Sequence, residues 1–372
     1  MNRLLCRRTP LCGKFSDWTI QKITPSLGYP KLGSPFFSSS FGRTYSTMSP
    51  SVLTVGTGAI GAIYSWRLSK SAQVTTVCRS NYSVVNDNGF SINSVKFGQE
   101  NFKPHHVVKT VSEAVEANNG APFDYVLVTM KALPEVYNVA DIIAPAVTPG
   151  QTTIVLIQNG LGVEEPIVEN FPDNPLVSIV AYIGTSQTSP GHISMVGKES
   201  LAVGTYLPSK VDSSIQKQSF IDLLLQGGVD AMALDDIERI RWQKLFWNAS
   251  FSPVCALTGM NTSELLANKE ALTSVKSVMK EVILAANAMG YDFDVDEQVK
   301  DMIERTEATA MNYKPSMQLD LERKQPMEVE VILGTPLRRA KAKGLHVPHL
   351  ELMHDLLSAT NAKTMIDRKS QL

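Results

Sequence analysis

The sequence predicts an α/β protein, with a doubly wound sheet domain first and an all-helical domain after it. Three observations predict this. A β-branched run, Ser51–Val55 (SVLTV), leads into the G-x-G-x-x-G of Gly56–Gly61 and then into an apolar helical stretch from Ala62 to Leu68. Further runs recur at the spacing of alternating strands and helices: Val74–Cys78 (VTTVC), Tyr125–Thr129 (YVLVT), Thr153–Ile157 (TIVLI) and Leu176–Ala181. After Asp235-Asp236 such runs stop, and long mixed stretches with helical spacing take over. The expected boundaries are a sheet domain over 50–236 and a helical domain over 237–372.

The first strand, glycine turn, helix and second strand stand in the order of a Rossmann-like dinucleotide site. Gly56 permits the tight turn, Gly58 lets backbone approach a pyrophosphate, and Gly61 allows close helix–strand packing. Thr57, Ala59 and Ile60 complete the loop, and the helix N-terminus offers free N–H groups and partial positive charge to phosphate. The end of the second strand selects the cofactor. An NAD site usually carries Asp or Glu there for the ribose hydroxyls, whereas this chain has Arg79-Ser80-Asn81. An arginine pairs with a 2′-phosphate that an acid would repel, so NADP (NADPH) is the expected cofactor.

Later strands end at Met130-Lys131 and at Gln158-Asn159-Gly160. In open α/β sheets, ligands lie beyond the C-terminal strand ends. Lys131 is therefore expected to neutralise cofactor phosphate. Asn159 is expected to bond the nicotinamide ribose or a substrate.

In the helical half, Glu238 to Leu257 is mostly apolar, yet Lys244, Asn248 and Ser252 recur at intervals of four. That spacing puts them on one helix face, drifting by about 40° per step. A lysine followed by two short polar groups, flanked by Leu245, Phe246, Trp247 and Phe251, suggests a cleft and not a solvated stripe. Pro253 is expected to end or kink this helix near Ser252. A second polar cluster is Ser316-Met317-Gln318-Leu319-Asp320, followed by Glu328 and Glu330 ahead of Gly334.

Composition sets the outer limits. The 372 residues carry 35 Lys+Arg and 36 Asp+Glu, a net charge of -1. That near-neutrality hides an asymmetry. Residues 1–48 hold seven bases (Arg3, Arg7, Arg8, Lys14, Lys22, Lys31 and Arg43), one acid, Asp17, and many serines. Taking them from the totals of 35 and 36 leaves 28 bases against 35 acids, a body near -7. The leader has the composition of a mitochondrial transit peptide and is expected to be disordered; with Met48 as the true start, the protein would be cytoplasmic. An acidic body without a basic run argues against nucleic acid. No apolar run reaches the roughly 18 residues a membrane span needs. Cys6 and Cys12 fall in the leader, and Cys78 and Cys255 stand alone, so neither a disulfide framework nor a zinc site is expected. His346, His349 and His354 do not share one helix face, and no metal is expected. The C-terminal Ser370-Gln371-Leu372 is a poor match to a peroxisomal tripeptide.

Together these stretches resemble the ketopantoate reductases (2-dehydropantoate 2-reductases) over nearly everything after residue 50. The matching pieces are GTGAIGA from Gly56, VTMKA ending at Ala132, QNGLG at Gln158–Gly162, WQKLFWN ending at Asn248, and PSMQLDLERKQPMEVEVILG at Pro315–Gly334. The resemblance implies a site in the cleft between the two domains and a small 2-keto acid as substrate. It implies that Lys244 is catalytic and that Asn248, one turn later, binds substrate. It assigns cofactor contacts to Gly56–Gly61, Arg79, Lys131, Asn159 and, by weak alignment, Gln187. Ser316 and Glu328 match the family's serine and glutamate, with Glu328 orienting Lys244 or bonding a cofactor or substrate hydroxyl. A second family asparagine, just before proline, is Ser252 here, which weakens the substrate assignment more than the reaction. Another is expected at Asn261 or Thr262. The expected reaction is reduction of ketopantoate to (R)-pantoate for pantothenate and coenzyme A. The alternatives are a reductase of another 2-keto acid on the same scaffold and a non-catalytic NADP(H)-binding regulator. Assembly into a homo-oligomer stays open.

Overall fold

The computed structural model describes residues 49–309 and 312–369; the expected leader over residues 1–48 and the C-terminal tripeptide lie outside them. Ten strands form one sheet: β1 (Ser51–Val55), β2 (Gln73–Val77), β3 (Phe90–Ser94), β4 (Gly98–Phe102), β5 (His106–Val108), β6 (Tyr125–Val128), β7 (Thr153–Ile157), β8 (Leu176–Ser189), β9 (His192–Thr205) and β10 (Ala231–Leu234). Between them run α1 (Ala59–Leu68), α2 (Tyr82–Asn88), α3 (Val111–Ala117), α4 (Val139–Ile143), α5 (Glu165–Asn170) and α6 (Ser214–Gln226). Helices alone follow: α7 (Ile237–Asn248), α8 (Phe251–Thr258), α9 (Thr262–Ala267), α10 (Lys269–Ala288), α11 (Val295–Thr309), α12 (Ser316–Glu322), α13 (Thr335–Ala342) and α14 (Pro348–Lys369). A π-helical turn, Glu330–Gly334, leads into α13. The fold is thus a Rossmann-like sheet followed by a helical region.

The strand order is β4-β3-β9-β8-β7-β6-β1-β2-β5, with β10 beside β9. From β8 to β5 every pairing is parallel, and on the other side of β8 the strand β9 returns antiparallel to it. β1 has β2 on one side and β6 on the other, so the chain reverses direction across the sheet at β1. A crevice therefore opens beyond the C-terminal ends of β1 and β6, where Gly56 and Met130 stand. The central strands are buried on both faces, which explains their continuous β-branched runs.

Three elements differ from expectation. Helix α1 starts at Ala59 and not Ala62, because the Ala62 N–H already closes a turn onto the Gly58 carbonyl at 2.9 Å. β8 does not stop at Ala181; it runs to Ser189 and turns through Pro190-Gly191, with Gly191 at φ +77°, into β9. The helix carrying Lys244 breaks at Ala249-Ser250, ahead of Ser252. A proline ring collides with the carbonyl four residues back. For Pro253 that carbonyl is Ala249, and the ring itself fits the first turn of α8, where no N–H partner is missing.

One apolar core runs from a sheet face into the helices. It joins Leu53, Val126, Ile154 and Leu156 to Phe246, Phe251, Val282 and Ile332, so the two regions pack as a continuous body. None of the described helices is long and apolar enough to cross a membrane.

Candidate active site

The glycine loop is shaped by close approach. Gly56 sits at φ +95°, and a Cβ there would stand 2.4 Å from the Met130 backbone nitrogen. A Cβ on Gly61 would stand 2.5 Å from Thr129 Oγ1. Gly58 differs: it is exposed, and nothing lies within 4 Å of where its Cβ would be. The packing room is used at Gly56 and Gly61, and the open cradle is at Gly58. Helix α1 has no side-chain cap and no acid in its first turn, so its first N–H groups face that cradle unpaired by the helix. Thr57 is turned inward, its hydroxyl donating to the Val77 carbonyl at 2.8 Å. Ala59 and Ile60 form the half-buried start of α1. The Asn81 amide donates to the Thr57 carbonyl at 2.9 Å and to Gln187 Oε1 at 3.3 Å, which brings Gln187 of β8 to the loop. Arg79 is exposed just past β2. An open glycine cradle, an uncapped helix start and an exposed arginine fit a dinucleotide.

A polar chain crosses between sheet and helices next to this crevice. Lys244 Nζ donates to Asn159 Oδ1 at 2.8 Å and to the Ala181 carbonyl at 2.7 Å. The Asn159 amide donates in turn to Glu328 Oε2 at 3.2 Å. The other Glu328 oxygen accepts from the Ala132 N–H at 3.0 Å. Asn159 is thus a bridge, its carbonyl toward an ammonium and its amide toward a carboxylate. A small pocket opens here, lined by Asn159, Gly160, Val180, Lys244 and Asn248 among others. Burial pushes the Lys244 ammonium down to about 8, the Arg241 guanidinium adds to the fall, and the Glu328 carboxylate opposes it. A lysine poised near neutrality and ringed by oriented acceptors is equipped to give a proton.

Lys131, expected on cofactor phosphate, stands paired with Asp320 Oδ1 at 2.5 Å, its side chain still 40 % exposed. Burial pushes the Asp320 carboxyl up to about 6 against the opposing pull of Lys131. The reason is topological: α12 brings Asp320 over the end of β6. Glu328, whose spatial role the sequence leaves open, acts on Lys244 through Asn159 and not by direct contact. Ser252 does not share a helix face with Lys244 and Asn248, because the break at Ala249-Ser250 puts it in α8, where it is buried. Ser316 is exposed as the first residue of α12, which packs on α8. Asn261 is spent on its own helix: its side chain accepts from the Ser263 and Glu264 N–H groups in a capping box. Thr262 beside it is buried, its hydroxyl without a hydrogen-bond partner among the described residues. Among the described residues no cluster could hold a metal ion, and Cys78 and Cys255 are free and buried.

Sequence reasoning passed over Arg241, Glu164 and Tyr182, and named Asp320 only as a member of the second polar cluster. Arg241 is 3 % exposed and bonds Glu164, Ser178 and two carbonyls of the Asn159 turn. The Tyr182 ring lies 5.7 Å from Lys244 Nζ. A signal for Arg241 did exist: it precedes Lys244 by three positions, on the same helix face.

Comparison with known proteins follows the same lines. A family model described as "Ketopantoate reductase PanE/ApbA" matches residues 52–208, and its C-terminal companion matches residues 236–361. An uncharacterized protein of Saccharomyces cerevisiae is 32 % identical over 346 residues, covering 86 % of this chain and 96 % of that one. The crystal structure of 2-dehydropantoate 2-reductase from Methylococcus capsulatus is 32 % identical and superposes with a TM-score of 0.73, covering 84 % of this chain and 97 % of that chain. The ternary structure of D-mandelate dehydrogenase with NADH and anilino(oxo)acetate superposes with a TM-score of 0.75 over 84 % of this chain and 99 % of its own; at 18 % identity that is a likeness of fold.

Proposed function

The chain belongs to the ketopantoate reductase family, and on that premise we propose that it reduces 2-dehydropantoate (ketopantoate) to (R)-pantoate with NADPH, Lys244 giving the proton. The observation that carries this reading is the Lys244–Asn159–Glu328 chain, which holds one partly desolvated ammonium beside the dinucleotide crevice. On this reading residues 50–236 hold the cofactor and residues 237–372 close over the substrate.

Bound reduced nicotinamide supplies the hydride for the ketone carbon. The carbonyl oxygen gains negative charge as that bond forms. Lys244 Nζ stabilises the charge and delivers its proton to that oxygen. Asn159 fixes the direction of Nζ, and Glu328 fixes Asn159. Asn248, one turn beyond Lys244 on the same face and lining the pocket, would hold the substrate carboxylate or hydroxyl with a neutral donor. Ser252 of α8 and Ser316 of α12 do not line that pocket and are proposed as further substrate contacts from the family resemblance alone. The cradle at Gly58 takes the pyrophosphate, and Arg79 takes the 2′-phosphate.

Arg79→Ala tests the cofactor choice. A charge-assisted bond contributes about 1.5–3 kcal/mol, so KM for NADPH should rise by about 10–100-fold while KM for NADH hardly moves. Steady-state kinetics with both cofactors decide it; an equal change in both removes the 2′-phosphate argument. A second reading, a reductase of another 2-keto acid, is favoured by Ser252, a shorter donor than the asparagine of the resemblance. Profiling NADPH oxidation with ketopantoate and with smaller 2-keto acids separates the two, since the proposed reaction requires the highest kcat/KM for ketopantoate.

A further inference from the structure

Arg241 takes no part in the reaction as written, yet it is more deeply buried than Lys244. Its NH1 donates to the Gln158 carbonyl at 2.8 Å and to the Gly160 carbonyl at 3.1 Å, the two residues flanking Asn159. Its Nε donates to Glu164 Oε1 at 2.5 Å, and its NH2 to Ser178 Oγ at 2.7 Å. Ser178 Oγ closes the ring by donating to Glu164 Oε1 at 2.6 Å. We propose that Arg241 is a positioning residue of the reduction: its guanidinium clamps the Gln158–Gly160 turn to α7 and thereby aims the Asn159 carboxamide at Lys244. The inference deepens the proposed function and rests on Lys244 as proton donor.

The geometry favours this over a purely structural ion pair. A simple Arg–Glu pair needs one edge of the guanidinium. Here NH1 goes to two backbone carbonyls, one on either side of a single functional residue, and NH2 goes to Ser178 Oγ. Only a planar fork spans such a set; a lysine point charge reaches part of it. Arg241 and Lys244 lie three apart on one helix, so the clamp and the proton donor share a rigid element. The positive charge of Arg241 also faces Lys244 directly. The other charged or titratable groups around Lys244 are Glu328, reached through Asn159, and Tyr182 of β8, with the Lys131–Asp320 pair beyond Glu328 and Glu164 behind Arg241.

The test uses the full chain in three forms: wild type, Arg241→Lys, and Arg241→Met combined with Glu164→Gln, which avoids stranding a buried carboxylate. Two quantities are read, the Lys244 titration by NMR of isotope-labelled lysine, assigned with Lys244→Met, and kcat alongside NADPH binding. In the double variant the Lys244 titration should move upward from about 8. Its kcat should fall about 10²-fold, the cost of a small misplacement, with NADPH binding unchanged. Arg241→Lys should keep the titration near wild type and still lose kcat, because charge is restored without the fork. A folded Arg241→Lys or double variant whose kcat stays at the wild-type value overturns the clamp. So does one whose NADPH affinity falls in step with kcat, which would mark a structural role. If wild type reduces no 2-keto acid, the proposed reaction fails on its own, and the side-chain amide signal of Asn159, shifted in Arg241→Lys only if the fork holds its turn, still decides the clamp.

Discussion

Lys244→Ala should lower kcat by about 10²–10⁴-fold, the range a general acid contributes, and leave KM for NADPH near wild type. Among the described residues the ammonium hydrogen-bonds to Asn159 and the Ala181 carbonyl, neither of them in the glycine loop, so its loss should reach chemistry and not cofactor binding. The pH dependence follows with a definite sign. Lys244 is an acid only while protonated, so kcat should fall as pH rises through about 8, and that limb should be absent from the residual rate of the variant. Stability runs the other way. The folded-state value lies below the ordinary 10.5, so between about 8 and 10.5 the unfolded chain binds more protons and the lysine's burden on folding lifts as pH rises. At neutral pH the burden is present, and Lys244→Met should unfold no earlier than wild type in a thermal melt. A variant both inactive and strongly destabilised would mean that Lys244 holds the fold together.

Gly56→Ala should have the second large effect, on folding and on cofactor binding at once. A side chain at φ +95° is strained by about 1–3 kcal/mol, and the new Cβ would press on Met130 backbone at 2.4 Å. Overpacking adds about 1–3 kcal/mol, so the unfolding midpoint should drop by several degrees. Gly58→Ala is the control. Its φ is -83° and its Cβ meets nothing within 4 Å, so it should melt like wild type. It should nevertheless bind NADPH poorly, because the methyl occupies the space in which the pyrophosphate is proposed to lie. Calorimetry and fluorescence titration of NADPH on both variants check the pair. A Gly58→Ala protein that binds NADPH like wild type would move the pyrophosphate elsewhere.

What could be read from the sequence was local. The glycine loop and its flanking strands are written in consecutive residues whose types point to that conformation, although the contacts that require Gly56 and Gly61 come from Met130 and Thr129. The proline effect was legible too, though its position required counting four residues back to Ala249. The hairpin of β8 and β9 was harder. Past Ala181 the strand turns polar and half-exposed, so the apolar run that marks a buried strand ends there. The Ser-Pro-Gly turn was the remaining signal. β4 (GQENF) is an exposed edge strand with no hydrophobic pattern to find.

The site divided along the same line. Lys244 and Asn248 share a helix, and their spacing shows it. The partners that define Lys244 do not. Glu328 meets Asn159 across 169 positions and Ala132 across 196, and Arg241 meets Gln158 across 83. No periodicity encodes such distances; they appear only when α12 and the π-helical turn fold back over the strand ends. Lys131 is a similar case: its place past a strand end suggests phosphate, and its pairing with Asp320, 189 positions on, is invisible in the sequence.

The most direct test of the central claim is the fate of the hydride. The full chain is incubated with ketopantoate and NADPH deuterated at the transferable position of the nicotinamide, and the product is examined by mass spectrometry. The account predicts pantoate labelled at the carbinol carbon, formed by wild type and strongly reduced in Lys244→Ala. NADPH that binds while ketopantoate and the smaller 2-keto acids all return unreduced would contradict it.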